Sequence, residues 1–298
     1  MGAILVEVRR NGVVEARHTV HAVAVRDGQI VAAAGDASLT CFMRSSSKPI
    51  QALPLARARE DMDNRDLAIA SASHRATDDQ IDAVRALLAK APATEDELEN
   101  GIQEGRPPQA IYHNCSGKHA GMLALCRTRG WNAKGYRLPE HLVQQGCLAA
   151  HAEAAEVDAA TLATGIDGCG VVTFALTLER MAHAFSRLER LPAGERIANA
   201  MRTHPNLVGG EDGADVMLMR AAPGFFAKGG AEGLLCAGGP GRLGVALKCE
   251  DGASRPLAPA IAAFLAPFVP DLTPLAAAPI LNSRGERVGE CTVSFTNL

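Results

Sequence analysis

Hydrophobic and polar residues alternate along both ends of the chain, in the pattern of half-buried β-strands. The alternation covers residues 4–33, and Asp27-Gly28 within it favours a hairpin turn between two strands. Apolar runs separated by glycine turns follow at 225–248, and residues 287–295 form a last strand-like segment. We therefore expect a sheet that takes strands from both ends of the chain.

Between these ends the apolar residues follow a helical spacing. Thr77 and Gln80 form a capping-box pattern directly before apolar residues at helical intervals. The predicted fold is α/β (α+β), a sheet with a helical lobe, in one single unit covering 1–298. Its sheet body is expected at about 1–45 and 220–298, and its helical lobe at about 46–219.

Composition and charge argue against several classes of partner. The net charge is -3 and no basic tract occurs, so binding of nucleic acid has no electrostatic support. No apolar run approaches the ~20 residues of a membrane span, and the first ten residues lack the order of a signal peptide. Eight cysteines in a chain of 298 residues, without an export signal, favour reduced thiols. We expect a cytoplasmic protein.

The first candidate for chemistry is the segment Arg-Ser-Ser-Ser-Lys-Pro at 44–49, which predicts a turn that enters a helix. Residues three apart share a helix face, so Ser45 and Lys48 can touch. A serine nucleophile needs a base beside it, and a lysine made neutral by its surroundings can be that base. Ser-x-x-Lys is also the nucleophile motif of serine β-lactamases. By spacing alone, a helix cap beside a solvated lysine is the commoner structure.

Other polar segments interrupt apolar surroundings at loops that precede helices or at glycine turns. They are Ser73-His74, the stretch 114–119 and the stretch 165–170, with Lys248 at the end of an apolar strand. Functional side chains are often displayed at such junctions and can converge on one cleft. Their serines, lysines and arginine favour acyl transfer, and no Gly-x-Ser-x-Gly motif is present. Taken one at a time, each segment also fits a cap, a core cysteine or a strand end.

Together these segments resemble the L-asparaginase II family, the rhizobial-type (class 3) L-asparaginases. The resemblance spans nearly the whole chain, and the block at 113–123 is its most specific part. The matching blocks are Arg-Ser-Ser-Ser-Lys-Pro at 44–49, Ala-Ser-His at 72–74, His-Asn-Cys-Ser-Gly-Lys-His-Ala-Gly-Met-Leu at 113–123, Gly-Ile-Asp-Gly-Cys-Gly at 165–170, His-Pro and Gly-Gly-Glu within 204–211, and Ala-Lys-Gly-Gly-Ala-Glu-Gly at 227–233.

The resemblance implies a fold like that of serine β-lactamases and serine-dependent glutaminases, and hydrolysis of L-asparagine to L-aspartate and ammonia. It also implies a homodimer and a metal site, usually zinc. The implied catalytic residues are Ser45 with Lys48 and Ser73 with Lys248. The implied substrate-binding residues are Arg44, His119 and Asp167. The implied metal ligands are Cys115, Lys118 and Cys169.

Three points stay open. The chain has Val172 before Thr173, where the family usually has a proline, and this could loosen the loop that carries Asp167 and Cys169. A glutaminase or a β-lactam hydrolase on a similar scaffold is an alternative to an asparaginase. A further alternative is an inactive protein that keeps an amino-acid pocket.

Overall fold

The computed structural model of the protein describes residues 2–295. Residues 1 and 296–298 of the expected unit lie outside this range. The described strands are β1 Ile4–Arg10, β2 Val13–Arg26, β3 Gln29–Ala34, β4 Thr40–Phe42, β5 Thr164–Ile166, β6 Val172–Thr177, β7 Phe226–Gly230, β8 Leu234–Gly239, β9 Leu243–Cys249, β10 Ala277–Leu281 and β11 Arg287–Phe295. The α-helices are α1 Lys48–Gln51, α2 Leu53–Ala58, α3 Asn64–Ala70, α4 Asp78–Lys90, α5 Ser116–Arg129, α6 Leu142–Ala155, α7 Leu178–Arg187, α8 Gly194–Thr203, α9 Pro205–Val208, α10 Ala214–Ala221 and α11 Leu257–Leu265.

The chain divides into two compact units. Unit 1 consists of three segments: the residues up to Cys41, residues Thr177–Ser186, and the residues from Asp212 onward. Unit 2 consists of Phe42–Leu176 and Arg187–Glu211. The predicted sheet body at 1–45 and 220–298 did not include Thr177–Ser186, which lies in unit 1. No helix among residues 2–295 has both the length and the apolar character needed to cross a bilayer.

Unit 1 is built on an antiparallel sheet with strand order β10-β11-β1-β2-β9-β8-β7, and β3 also pairs with β2. The first and last strands are neighbours, because β1 pairs with β11 from Leu5 opposite Phe295 to Arg9 opposite Glu290. Helices α10 and α11 pack against this sheet. Two predictions are therefore confirmed: the fold mixes α-helices and β-strands, and the sheet takes strands from both ends of the chain.

The two turn residues between β2 and β3 adopt the backbone conformation that a tight hairpin requires. Asp27 and Gly28 both have positive φ, at 51° and 77°, which is the backbone of the tight turn that matches the twist of paired strands. Arg26 and Gln29 pair directly across this turn. The hairpin predicted from Asp27-Gly28 is confirmed.

Helix α7 belongs to the sheet unit because two glycines let it approach the strands. Gly238 and Gly244 are paired across β8 and β9. A Cβ on Gly244 would lie 1.9 Å from the Ala182 carbonyl oxygen, and a Cβ on Gly238 would lie 2.7 Å from the Phe185 oxygen. The helix backbone thus occupies space that side chains would otherwise fill. Helical periodicity in the sequence could not show which unit this helix joins.

Unit 2 is mainly helical, with a small sheet of order β4-β6-β5. Helix α5 is its centre, since α2, α3, α4 and α6 all pack against it. Its residues from Ser116 to Cys126 are buried, so the polar start of this helix lies inside the unit. The capping box of Thr77 and Gln80 opens α4 as predicted.

The close contact between α5 and α3 generates a stability prediction. A Cβ on Gly117 would lie 2.2 Å from the Ile69 carbonyl oxygen. Gly117→Ala should therefore lower the free energy of unfolding by about 1–3 kcal/mol, the usual cost of overpacking. Urea unfolding followed by circular dichroism measures the change as a lower midpoint. Gly146→Ala in α6 is the matched control, because its Cβ would lie 3.8 Å from Pro54. Equal midpoints for the two variants would contradict this packing.

The buried imidazole of His151 generates a pH prediction. Its Nδ1 donates to the Cys147 carbonyl, 2.7 Å away, and its Nε2 lies 3.0 Å from Ser47 Oγ. Burial lowers the pKa of His151 to about 4, whereas an unfolded histidine titrates near 6.5. The unfolded chain therefore binds more protons between these values, and stability falls as the pH drops from 6.5 to 4. This group should contribute a loss of about 3 kcal/mol.

The measurement is the urea midpoint of the wild type and of His151→Asn at pH 7, 6 and 5. The variant should lose less stability on acidification than the wild type, because it has no imidazole to protonate. His204→Asn is the control at a half-buried position. A wild type and a His151→Asn variant with the same pH slope would show that the neutral imidazole carries no such linkage.

Candidate active site

Ser45 lies in a short helical turn at the entry to unit 2. Residues Arg44–Ser47 form a 3₁₀ turn that leads into α1, and the Lys48 N–H donates to the Ser45 carbonyl. Residues three apart are eclipsed in a 3₁₀ turn, so Ser45 and Lys48 start from the same side of the chain. Arg44 has φ at 49°, a left-handed conformation that costs a non-glycine residue about 1–3 kcal/mol. Its N–H is held by Thr173 Oγ1 at 3.1 Å.

Lys48 is fully buried and bonds to Ser73. Its Nζ donates to Ser73 Oγ at 2.8 Å and to the Ala72 carbonyl at 2.5 Å. The side chain has no exposed surface, which rules out the solvated lysine of a simple helix cap. Ser45 is half-buried, and its side chain makes no hydrogen bond to any residue within 2–295. The structure thus joins Lys48 to the serine of the second predicted pair rather than to Ser45.

The loop that carries Ser73 is fixed by its backbone and by His74. The Ser73 N–H donates to the Val208 carbonyl at 2.8 Å, and the His74 N–H donates to the Asn114 carbonyl at 3.1 Å. These bonds tie the Ser73 loop to α9 and to the segment just before α5. Ser73 Oγ is therefore held in place beside Lys48.

The His74 side chain is a fixed donor. Its Nδ1 accepts the Ala76 N–H at 3.1 Å, so its proton is on Nε2, which donates to Ser116 Oγ at 2.8 Å. Burial, together with the nearby cations of Lys48 and Arg106, lowers the pKa of His74 to about 3. The imidazole stays neutral near pH 7. It connects the Ser73 loop to the first residue of α5 and carries no mobile proton.

The predicted metal ligands converge at the start of α5. Cys115, Lys118 and Cys169 are all buried, and Lys118 Nζ donates to Cys169 Sγ at 3.1 Å. The hydrogen bond from the Cys115 thiol, together with the Lys118 cation, lowers the pKa of Cys169. The same hydrogen bond, together with burial, raises the pKa of Cys115. Burial acts to lower the pKa of Lys118, but its attraction to the two sulfurs outweighs burial and raises it. The cluster is thus a thiolate, a thiol and an ammonium group.

His119 lies beside this cluster. Its Nδ1 is 2.7 Å from the Tyr136 hydroxyl. Its Nε2 is buried without a well-aligned hydrogen-bond partner among the described residues, although Cys169 is near enough to interact with it electrostatically. Burial lowers the pKa of His119. Two sulfurs and an amine form a donor set that suits zinc once the cluster loses its protons, whereas His119, Cys115 and Cys169 do not all lie close enough together to share an ion.

Arg44 and Asp167 form a partly buried ion pair. Arg44 Nε donates to Asp167 Oδ1 at 2.8 Å. The Asp167 loop is a closed turn, since the Asp167 N–H donates to the Val171 carbonyl and the Gly170 N–H donates to the Asp167 carbonyl, both at 2.8 Å. The chain is therefore well held here without a proline before Thr173. The structure brings the two predicted substrate-binding charges together.

Lys248 lies in unit 1, near the end of β9. Its Nζ donates to the Glu232 carbonyl at 2.7 Å and also to the carbonyl of Cys249. It faces Leu234 on β8 and His21 on β2 across the ladder. The pairing of Lys248 with Ser73 stays a prediction.

A second polar cluster, in unit 1, had no signal in the sequence. His18 Nδ1 lies 2.6 Å from Asp251 Oδ2, and Cys249 Sγ donates to Asp251 Oδ1 at 2.9 Å. Within residues 2–295 this is the one group of three histidine, cysteine or acidic donors close enough to share a metal ion. Arg255 Nε donates to His18 Nε2 at 2.8 Å, which keeps the His18 proton on Nδ1 and places a cation beside the cluster. These residues form a hydrogen-bond network that disfavours a metal.

No curated protein matches the chain. A solved structure that matches is the crystal structure of a β-lactamase from Mycobacterium bovis, with 16% sequence identity and a TM-score of 0.36, covering 84% of this chain and 95% of that chain. A TM-score this low supports no inference about the present protein. The family model described as L-asparaginase II matches residues 6–293. Because this match covers nearly the whole chain, the protein belongs to the L-asparaginase II family.

Proposed function

We propose that this protein hydrolyses L-asparagine to L-aspartate and ammonia through a serine acyl-enzyme. Family membership implies a hydrolase and suggests an asparagine amidohydrolase. The observation that carries the proposal is the buried contact between Lys48 Nζ and Ser73 Oγ at 2.8 Å, one turn away from the half-buried hydroxyl of Ser45. A buried lysine in contact with a serine hydroxyl is the arrangement expected for serine activation without a histidine base.

Substrate recognition would use the ion pair of Arg44 and Asp167. Asparagine carries an α-carboxylate and an α-ammonium group, which match the charges of this pair. When the substrate binds, its carboxylate would bond to the Arg44 guanidinium and its ammonium group to the Asp167 carboxylate. His119 is the third predicted contact, and its buried, neutral ring suits a hydrogen bond rather than a charge pair. The amide of the substrate would then reach Ser45.

In the first chemical step Ser45 Oγ would attack the side-chain amide carbon. This step requires the neutral amine, so Lys48 would first give one ammonium proton to water. The new C–O bond then forms as the Ser45 hydroxyl proton passes to Lys48 Nζ. The N–H groups of Arg44, Ser46 and Lys48 are already bonded. The Ser45 N–H has no acceptor among the described residues, so it is the donor proposed for the oxyanion.

In the second step the C–N bond would break and the proton from Lys48 would reach the leaving nitrogen, which departs as ammonia. Ser73 bonds to Lys48, and together with Lys248 it would relay this proton. Water then attacks the ester, the C–O bond to Ser45 breaks, and aspartate leaves while the serine regains its proton. Ser73 is the second candidate nucleophile, because it is the serine that Lys48 contacts.

Zinc, if bound, would be held by Cys115, Lys118 and Cys169. The ion would replace the proton of the Cys115 thiol and one proton of the Lys118 ammonium group. It would supply a cross-link between the start of α5 and the loop that carries Asp167. The proposed steps run through the serines and lysines alone. The homodimer and the cytoplasmic location stay predictions.

The choice of nucleophile is testable by two alanine variants. Ser45→Ala should lower kcat for ammonia release from asparagine by about 10³-fold or more, because it removes the acyl-enzyme. Ser73→Ala should lower kcat less, since it removes only a relay group. A coupled ammonia assay measures both, with circular dichroism as the folding check.

Ser71→Ala is the control for these variants. Its hydroxyl is buried in the neighbouring loop and has no hydrogen-bond partner among the described residues, so its loss should leave turnover unchanged. Wild-type turnover in Ser45→Ala, with turnover abolished in Ser73→Ala, would assign the nucleophile to Ser73 instead.

The substrate is testable by direct comparison. Turnover of L-asparagine should exceed that of L-glutamine and of a chromogenic β-lactam by at least about tenfold, because an extra methylene displaces the reacting amide from a serine held at a fixed distance from the Arg44–Asp167 pair. Faster release of ammonia from glutamine would identify a glutaminase. Absence of turnover with all three substrates, together with binding of asparagine by calorimetry, would identify a binding protein.

A further inference from the structure

Arg26 is a cation without a counter-ion. It is the last residue of β2, half-buried, and its Nε is buried without a hydrogen-bond partner. No ion pair or hydrogen bond of its side chain occurs within the described residues. The adjacent acid, Asp27, pairs with Arg242 at 2.6 Å. A buried polar group left unpaired is costly and rare in folded proteins. Nε is the one Arg26 nitrogen buried in this way, so the two terminal nitrogens of the guanidinium are the donors that a partner from solution can reach.

A largely apolar pocket surrounds this guanidinium. Its volume is about 300 Å³, at the low end of the range for small-molecule sites. All of its lining residues belong to unit 1: Arg26, Ala221, Ala222, Pro223, Phe225, Pro240, Leu243, Phe268, Val269, Pro270 and Asp271. Among these lining residues, Ala222, Phe225 and Leu243 are buried.

The guanidinium is positioned by an aromatic ring. Arg26 Cζ lies 5.9 Å from the centre of the Phe268 ring, within the range of a cation–π contact. Asp271, a carboxylate that also lines the pocket, forms no ion pair with Arg26. Its Oδ1 accepts a hydrogen bond from the Thr273 N–H at 3.0 Å. The guanidinium is therefore fixed over one wall of the pocket, and its hydrogen-bond donors are not used.

We propose that this pocket binds a small amphiphilic carboxylate, with the carboxylate on Arg26 and an aromatic or aliphatic body against Phe225, Phe268 and Leu243. A guanidinium suits a carboxylate because two parallel N–H groups match its two oxygens. An inorganic anion would satisfy the charge but would gain nothing from the apolar walls. The inference goes beyond asparagine hydrolysis, since asparagine has no apolar body to place here.

The test uses 3-phenylpropionate as the probe, measured by calorimetry on the full chain. A ligand of this size that fills the pocket should bind with Kd of about 1 mM or lower. Its neutral amide, 3-phenylpropanamide, should bind at least about tenfold more weakly, because it cannot form the charged pair. Acetate, which keeps the charge and lacks the ring, should also bind at least about tenfold more weakly.

Two arginine variants locate the binding. Arg26→Gln should weaken 3-phenylpropionate about tenfold or more and should leave the amide unchanged. Arg17→Gln is the control on the same strand, because Arg17 is exposed and already bonded to Glu7 at 3.0 Å; it should bind the probe as the wild type does. Both variants are checked for folding by circular dichroism.

An excess of L-aspartate separates this site from the proposed catalytic one. Aspartate should occupy the Arg44–Asp167 site and leave binding of 3-phenylpropionate unchanged. Displacement of the probe by aspartate, equal binding of acid and amide, or an unaltered Kd in Arg26→Gln would each overturn the proposal. So would the absence of binding at 10 mM probe. These binding measurements do not require enzymatic turnover. Their outcome is therefore independent of whether the proposed function is correct.

Discussion

The buried amine of Lys48 is the constraint on which the rest of unit 2 depends. A lysine without exposed surface is tolerated only where its Nζ is hydrogen-bonded, and Ala72 O and Ser73 Oγ supply those bonds. The segment that follows α3 must therefore stay against the turn that begins at Arg44. Burial and then the Lys48 cation lower the pKa of His74, and Lys48 adds to the effects of burial and of Lys118 that lower the pKa of His119. One amine thus links a nucleophile candidate, its loop and the protonation of the surrounding imidazoles.

Helix α5 gives this arrangement its rigidity. Its first turn is buried together with its apolar body, so each polar group there needs a partner inside the protein. Ser116 bonds to His74, and Lys118 bonds to Cys169. Two loops distant in sequence are thereby attached to the start of one helix. This explains how reactive side chains on loops can be held to the short distances that acyl transfer requires.

Unit 1 contains a buried ion pair and also a half-buried arginine that has no partner among the described residues. Lys228 and Asp215 form a buried pair at 3.0 Å, and the Gly229 N–H donates to the same carboxylate oxygen at 2.8 Å. Asp215 keeps a lowered pKa, because these partners outweigh the effect of burial, which acts to raise it. A pair satisfied in this way needs no ligand. Arg26 has no such partner, which is why it points to a ligand from solution.

The sequence by itself determined the features that arise from neighbours along the chain. Alternation predicted strands at both ends, Asp27-Gly28 predicted the hairpin, and the capping box of Thr77 and Gln80 predicted the start of α4. Polar motifs at 44–49, 72–74, 113–123 and 165–170 marked the segments that unit 2 brings together, since residue type and local spacing are visible without a fold. The resemblance carried by these motifs agrees with the family that the chain belongs to.

The tertiary structure alone decided which side chains meet. Helical spacing suggested that Lys48 would meet Ser45, yet its Nζ bonds to Ser73, 25 residues away, because the direction of a long side chain depends on the packing of the segments around it. The tautomer of His74, the attachment of α7 to the sheet through Gly238 and Gly244, and the unpaired Arg26 likewise depend on distances between elements. Such distances leave no periodic signal in a sequence, because they arise only when separate segments compete for the same interior space.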